Sequence, residues 1–370
     1  MASSTLRIGL IGTGGIMRGA HMPGWTSAKD VQISAICDAD QGTAERFAKD
    51  FGIPANRVFT DYHKLLEISE IDAVDVATPN LAHPAVVISA LHAGKHVLCE
   101  KPLAVTTNDV LAMTKASRAA KKLLMTAQHQ RWTPRAISLK RYIDTGALGD
   151  VYYARIHAIR RNWCPTSPNF IDAAFSGGGP CMDIGVHALD LGLWLMGFPV
   201  PARVTGTTRV NFAKGHVIPG AWGEWDRSRF TVEDFASGFI HFANGATMVL
   251  EASWLQHQRE KEDFSARLYG SKASIHWPSG EFATSAGTAL LDGVIEEAPG
   301  IGPAHSEEIH AFIKAIRSGA ASPVPVEETL HVIAILEAIV RSSQSGKEVV
   351  LDLPSAAIPA SPSTSATAKA

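Results

Sequence analysis

Between Leu6 and Ala127 short apolar runs alternate with longer helix-forming stretches, and this alternation limits the possible folds more than any single motif. Leu6 to Ile11, Val31 to Cys37, Ala73 to Ala77, His96 to Cys99 and Leu123 to Ala127 read as buried strands. Ile16 to Ala28, Gly42 to Phe51, Ala82 to Ala93 and Thr107 to Ala120 lie between them and read as helices. Strands joined through helices pair in parallel by right-handed crossovers, so this part of the chain is expected to form a doubly wound α/β sheet.

After about Gln130 the pattern changes. Pro134 to Thr145 reads as an amphipathic helix and Val151 to Ile159 as a strand; a polar, glycine-rich stretch from Arg160 to Gly179 then leads into a helix from Pro180 to Met196. Phe235 to Phe242 and Ala246 to Trp254 alternate in period two around Asn244-Gly245, a strong hairpin signal. Further strands are expected at Ala202 to Asn211, Phe264 to Tyr269, Ala273 to Trp277 and Val349 to Leu351, with helices at Ser306 to Ser318 and Val326 to Ser345. A chain of 370 residues exceeds one ordinary core. The expected division is a Rossmann-type domain over residues 1–130, an α+β domain with a large, mostly antiparallel open sheet over 131–353, and a disordered Ala/Ser/Pro/Thr tail over 354–370.

The first strand ends in Gly12-Thr13-Gly14-Gly15 and a helix follows. In that context the glycines suit a dinucleotide: Gly12 for the tight turn, Gly14 for close backbone approach to a pyrophosphate at the helix N-terminus. Met17 stands where the third glycine of the fingerprint would be. Asp38, at the end of the second strand, is placed to accept hydrogen bonds from a ribose diol and to repel a 2'-phosphate, which favours NAD over NADP. It reads equally as a helix N-cap.

Val97-Leu98-Cys99-Glu100-Lys101-Pro102 carries a lysine one residue past the end of a buried strand, where open α/β sheets bind ligands. Alone, Lys101 reads also as a solvated loop lysine. Within the expected helix after Gly177-Gly178-Gly179, Asp183 and His187 have i, i+4 spacing, so Asp183 is expected beside His187, holding it in one tautomer or raising its proton affinity for general-base work. A core histidine satisfied by its helix neighbour is the competing reading, and no third ligand at a recognisable spacing supports a metal.

Charged residues make up 19 % of the chain and the formal net charge is -2, which disfavours a nucleic-acid partner. No apolar run is long enough to span a bilayer and no targeting signal is recognisable, so no membrane partner is expected. Cys37, Cys99, Cys164 and Cys181 are widely spaced without a CxxC pair, which fits a reducing, cytoplasmic location.

These residues together resemble the glucose-fructose oxidoreductase and inositol dehydrogenase (Gfo/Idh/MocA) family over nearly the whole chain up to the tail. The resemblance rests on Gly12-Thr13-Gly14-Gly15-Ile16, Thr78-Pro79-Asn80 with His83, Glu100-Lys101-Pro102, Asp183 with His187, and Ser345-Gly346-Lys347 before Val349-Val350. It implies that Lys101 and His187 are catalytic with Asp183 assisting, and that Gly12, Gly14, Gly15, Ile16, Asp38, Thr78, Asn80, His83, Glu100, Lys101 and Gln128 lie along an NAD cofactor. It further implies a C-terminal sheet that mediates a homodimer or homotetramer, and Met248, Leu250 and Trp254 on its alternating strands are expected to offer an apolar face for that association. Gln128, His129 and Arg131, and Arg160, Arg161 and Trp163, are candidates for lining the crevice; the arginines read also as surface charge. The expected reaction is oxidation of a secondary hydroxyl of a sugar, glycoside or cyclitol to a ketone, with the proton acceptor left open between Lys101 and His187. A redox-assisted glycosidase of the same fold is the alternative, and a nucleotide sensor without turnover is a third reading.

Overall fold

The computed structural model describes residues 5–215 and 226–353. The expected tail at 354–370 lies outside the described residues. β1 (Leu6–Ile11), β2 (Val31–Cys37), β3 (Val58–Phe59), β4 (Ala73–Val76), β5 (His96–Cys99) and β6 (Leu124–Thr126) form one six-stranded sheet in the order β3-β2-β1-β4-β5-β6. Every pairing in it is parallel. The connections reverse direction between β1 and β4, which opens a crevice at the carboxyl edge of the sheet, where Gly12, Thr78 and Glu100 follow their strands. β3 and the short helix Tyr62–Leu66 have no counterpart in the sequence reading, being too brief to show a period.

The helix expected over Ile16 to Ala28 is divided into a wide turn, Met17–His21, and an ordinary helix, Met22–Ser27. The fully buried Met17 side chain fills the position of the missing third glycine. Gly12 shows why its place admits no side chain. Its φ is +89° and a Cβ there would lie 2.4 Å from the carbonyl oxygen of Ala77.

The second sheet has nine strands: β7 (Val151–Arg160), β8 (Pro201–Arg209), β9 (Phe235–Phe242), β10 (Thr247–Ser253), β11 (Glu262–Gly270), β12 (Ala273–Trp277), β13 (Glu281–Ala286), β14 (Ala289–Val294) and β15 (Val349–Val350). Only β7 with β10 is parallel among these pairings. β13 and β14 escaped the sequence reading because they are mostly exposed and carry little apolar alternation. Asn244-Gly245 makes the expected hairpin, with Gly245 at φ +89°. Met248, Leu250 and Trp254 are buried beneath the chain's own helices.

The last two helices tie the sheets together. Ile309, Phe312 and Ile313 of Ala304–Ser318 pack in one core with Ile8, Leu10, Trp25 and Leu98, so this late helix covers the first sheet. Val326–Ser345 lies on the second sheet, while Thr329 Oγ1 meets Thr126 Oγ1 of the first at 3.0 Å. Its approach is close at Gly206 of β8, where a Cβ would come within 2.8 Å of the Ile339 Cα. Gly206→Ala forces that helix outward, and overpacking of this kind costs about 1–3 kcal/mol. Urea denaturation should show the loss; an unchanged midpoint would mean that the helix is not seated as described.

Candidate active site

β5 ends at Cys99, and Glu100-Lys101 leaves the sheet at its carboxyl edge. Lys101 Nζ donates to the carbonyl oxygen of Asp183 at 2.8 Å and to its Oδ1 at 3.1 Å, so the two sheets meet through these side chains. Asp183 Oδ2 accepts from Trp254 Nε1 at 3.0 Å, at the end of β10. Both carboxylate oxygens are thus engaged away from His187, which corrects the expected Asp183–His187 pairing. The reason is local: the expected single helix opens with a wide turn, Cys181–Gly185, before the regular helix Val186–Leu195. Such turns break the i, i+4 register and cluster at functional sites.

The His187 Nδ1 is buried without a partner, and its ring meets the edge of His129 at a centroid distance of 4.8 Å. Burial, then the Lys101 charge and His129, hold its proton affinity well below the ordinary histidine value, so the expected rise is reversed. His129 stacks on His305 at 3.9 Å, and burial followed by His305 brings it down to about 3. His305, from the helix that covers the first sheet, was assigned no role in the sequence reading.

On the nucleotide side, Asp38 Oδ2 accepts from the backbone and hydroxyl of Thr13 at 2.8 and 3.0 Å, tying β2 to the glycine loop. The helix cap that competed for Asp38 is supplied by Asp40, which accepts from Thr43 N at 2.7 Å. Gly14 and Gly15 face open space, with no atom within 4 Å of a built Cβ, and Ile16 beside them is exposed. Thr78 Oγ1 and both polar atoms of the Gln128 side chain are buried without partners. An open glycine loop and orphaned hydrogen-bonding groups at one sheet edge fit a dinucleotide. Asn80 instead donates to the Ser176 carbonyl at 2.8 Å, closing the crevice between the two parts of the chain. His83 is wholly buried, with its ring nitrogens on the carbonyls of Pro102 and Thr78 at 2.8 and 2.9 Å, so it braces those two segments.

On the substrate side, the Arg160 guanidinium lies 4.2 Å over the Trp163 ring and its Nε donates to Glu262 at 3.0 Å. Arg161 is exposed and turns toward the Arg259 carbonyl. Arg131 is buried and not surface charge: only 3 % exposed, it forms a fork with Asp190 at 2.8 and 2.6 Å and reaches Glu328 at 2.5 Å. It holds helices together beneath the crevice, because His129–Trp132 is a short helical turn whose successive side chains point in different directions. Among the described residues, no group of three His, Cys, Asp or Glu side chains is placed to hold a metal.

The family model described as "Oxidoreductase family, NAD-binding Rossmann fold" matches residues 6–128, and the GFO/IDH/MocA C-terminal domain matches residues 137–276. The chain belongs to the Gfo/Idh/MocA family. It is therefore an oxidoreductase, and NAD is its cofactor. D-glucoside 3-dehydrogenase of Escherichia coli (strain K12) is 28% identical over 352 residues, covering 95% of this chain and 99% of that protein. Levoglucosan dehydrogenase of Pseudarthrobacter phenanthrenivorans is 28% identical over 397 residues, covering 94% and 98%. A solved levoglucosan dehydrogenase in complex with NADH and levoglucosan has TM-score 0.79 and 26% identity, covering 96% of this chain and all of that one. Within the Gfo/Idh/MocA chain described here, no helix among the described residues is long and apolar enough to cross a membrane.

Two side chains at the site escaped the sequence reading in this role: Trp254 and His305. Only proximity in the fold marks them, since each comes from an element read for its apolar pattern. The Arg131 triad generates a direct test. Arg131→Ala leaves two carboxylates buried without their counter-charge, which costs about 3–5 kcal/mol. Chemical denaturation should show that loss; a change below about 1 kcal/mol, the scale of a surface pair, would contradict the buried assignment.

Proposed function

We propose that this protein is an NAD-dependent dehydrogenase that oxidises a secondary hydroxyl of a sugar, glycoside or cyclitol to a ketone. The observation that carries the reading is the meeting of Lys101 with Asp183, one helical turn before His187, at the carboxyl edge of the NAD-binding sheet. The names of the relatives, a glucoside dehydrogenase and a levoglucosan dehydrogenase, support the substrate class.

In this reading the substrate hydroxyl sits between Lys101 and His187. Lys101, oriented by Asp183, donates a hydrogen bond to the oxygen and stabilises the charge that develops on it. His187 is neutral at ordinary pH, because burial and the lysine charge oppose its protonation, and it accepts the hydroxyl proton. NAD, when bound at Gly12, Gly14, Gly15 and Ile16, supplies the hydride acceptor. Thr78, Glu100 and Gln128 would flank its nicotinamide end, and Asp38 its ribose. His129 beside His187, and the Arg160–Trp163 stack, would frame the sugar: planar groups for C–H faces, donors for hydroxyls.

Self-association as a homodimer or homotetramer is part of the same proposal. The face of the second sheet turned away from the helices carries Tyr153 and Tyr269, stacked at 5.7 Å with Arg155 over both, and the exposed Phe239. Light scattering at micromolar concentration should give at least a dimer, which Phe239→Arg should weaken; a monomer would remove this part.

Screening pyranoses, glycosides and inositols for NADH absorbance tests the reaction. Accumulation of NADH is expected; release of an aglycone without net NADH would identify the redox-assisted glycosidase instead. Lys101→Ala and His187→Ala should each lower kcat by roughly a hundredfold or more. The acid limb of kcat/KM should lie well below the ordinary histidine value of about 6.5, since a base of lowered proton affinity stays deprotonated to lower pH. A limb at or above that value would exclude His187 as the proton acceptor. Calorimetry should show NAD bound more tightly than NADP, with the preference reduced in Asp38→Ala; tighter NADP binding by the unmodified protein would contradict the role given to Asp38.

A further inference from the structure

Below the glycine loop lies a buried set of charges that the proposed chemistry does not use. His21, at the end of the wide turn Met17–His21, is fully buried, with Nδ1 2.7 Å from Asp75 Oδ2 and Nε2 2.8 Å from Glu100 Oε1. Asp75 Oδ2 also accepts from Trp25 Nε1 at 2.7 Å. A ring with both nitrogens on carboxylates needs both protons, since either neutral tautomer would set a lone pair against an anion in a dry interior. The other groups facing it are the His305 ring, 6.2 Å away, and the Glu308 carboxyl, which is buried without a partner. Burial opposes the charge on His21, but Asp75 and Glu100 outweigh it and hold the proton well past the ordinary histidine range.

The consequence reaches Lys101. Glu100 Oε2 accepts from the Lys101 backbone N–H at 3.0 Å, so the carboxylate is pinned at both oxygens. Burial disfavours its ionised form, yet the His21 contact and the Lys101 charge bring it down to about 2. At its other end, His21 belongs to the turn that the glycine loop opens, where Arg18 N donates to the Gly14 carbonyl at 3.1 Å. Hydrogen bonds therefore join His21 to Glu100, Glu100 to the Lys101 backbone, and Lys101 Nζ to Asp183, while the Met17–His21 turn itself connects His21 to the dinucleotide loop.

We propose that His21 is a positioning residue that, as a doubly bonded imidazolium, locks Glu100 and so couples the dinucleotide loop to the placement of the catalytic lysine. The inference rests on the proposed role of Lys101. Losing the imidazolium leaves Asp75 and Glu100 facing each other unbalanced, and Glu100 then takes up a proton or turns away, which releases the Lys101 backbone.

Ring-15N-labelled histidine makes the charge state directly visible in the wild-type protein. One histidine should show both ring nitrogens protonated at pH 8, and the signal should vanish in His21→Gln. A neutral His21 at pH 7 would overturn the proposal. His21→Gln keeps one hydrogen bond without the charge, and a misplaced lysine should lower kcat roughly tenfold to a hundredfold with little change in sugar KM. NAD affinity, read by calorimetry, should fall with it. A variant with lowered Tm but unchanged kcat, pH profile and NAD affinity would show a merely structural residue and would also overturn the proposal. Should His21→Gln fail to fold, Asp75→Asn removes one neighbouring negative charge and keeps the shape. His21 should then lose its proton at lower pH, and activity should fall as pH rises in step with that titration; an unmoved titration contradicts the link. Near-normal turnover in Lys101→Ala would defeat the catalytic reading of the lysine, whereas a neutral His21 together with an inactive Lys101→Ala would defeat this inference alone.

Discussion

The ion pair between Lys101 and Asp183 joins two separately built sheets, and the geometry of the site depends on it. Both side chains are largely withdrawn from water, at 15% and 13% exposure. Bringing two charges out of water costs several kcal/mol per ion before their attraction is counted, so such a pair is a poor device for stability alone. The cost is offset by a complete set of partners: the Asp183 carbonyl and Oδ1 for the ammonium, Trp254 Nε1 for Oδ2. An ammonium held at the mouth of a crevice is instead suited to stabilising charge that appears only during a reaction.

Around that pair the histidines divide into two kinds, and their surroundings decide which. His187, His129 and His305 are packed against one another and near the Lys101 charge, and burial with these neighbours keeps all three neutral. His21, equally dry, faces two carboxylates that hold its proton affinity well above the ordinary histidine value. The same side chain thus has its proton affinity lowered on one side of Lys101 and raised on the other. Burial pushes the Glu308 carboxyl, on the helix that carries His305, well above the ordinary carboxylate range.

Much of this was legible in the sequence. The strand–helix alternation to Ala127 and the Asn244-Gly245 hairpin mark the central strands of both sheets, because periodic burial is a property of each segment alone. Lys101, Asp183 and His187 could be picked out by residue type and place. Their pairing could not: i, i+4 spacing assumes a regular helix, and the wide turn at Cys181–Gly185 sends Asp183 to Lys101 and Trp254. The burial of Arg131 against Asp190 and Glu328 was not legible, because closeness in sequence to a site residue says nothing about which way a side chain turns. His305 was hidden for a different reason: Ala304–Ser318, late in the chain, returns to cover the first sheet. The apolar residues expected to form an association surface, Met248, Leu250 and Trp254, were instead used to seat helices of the same chain.

The central claim is that Lys101 and His187 act on one oxygen and one proton as a unit assembled across the two sheets. A double-mutant cycle in kcat, with Lys101→Ala and His187→Ala singly and together on a substrate that yields NADH, tests it most directly. The expected result is that the double variant loses far less than the product of the two single losses, since removing either group already dismantles the unit. Losses that multiply would mean that the two residues act independently and would contradict the account.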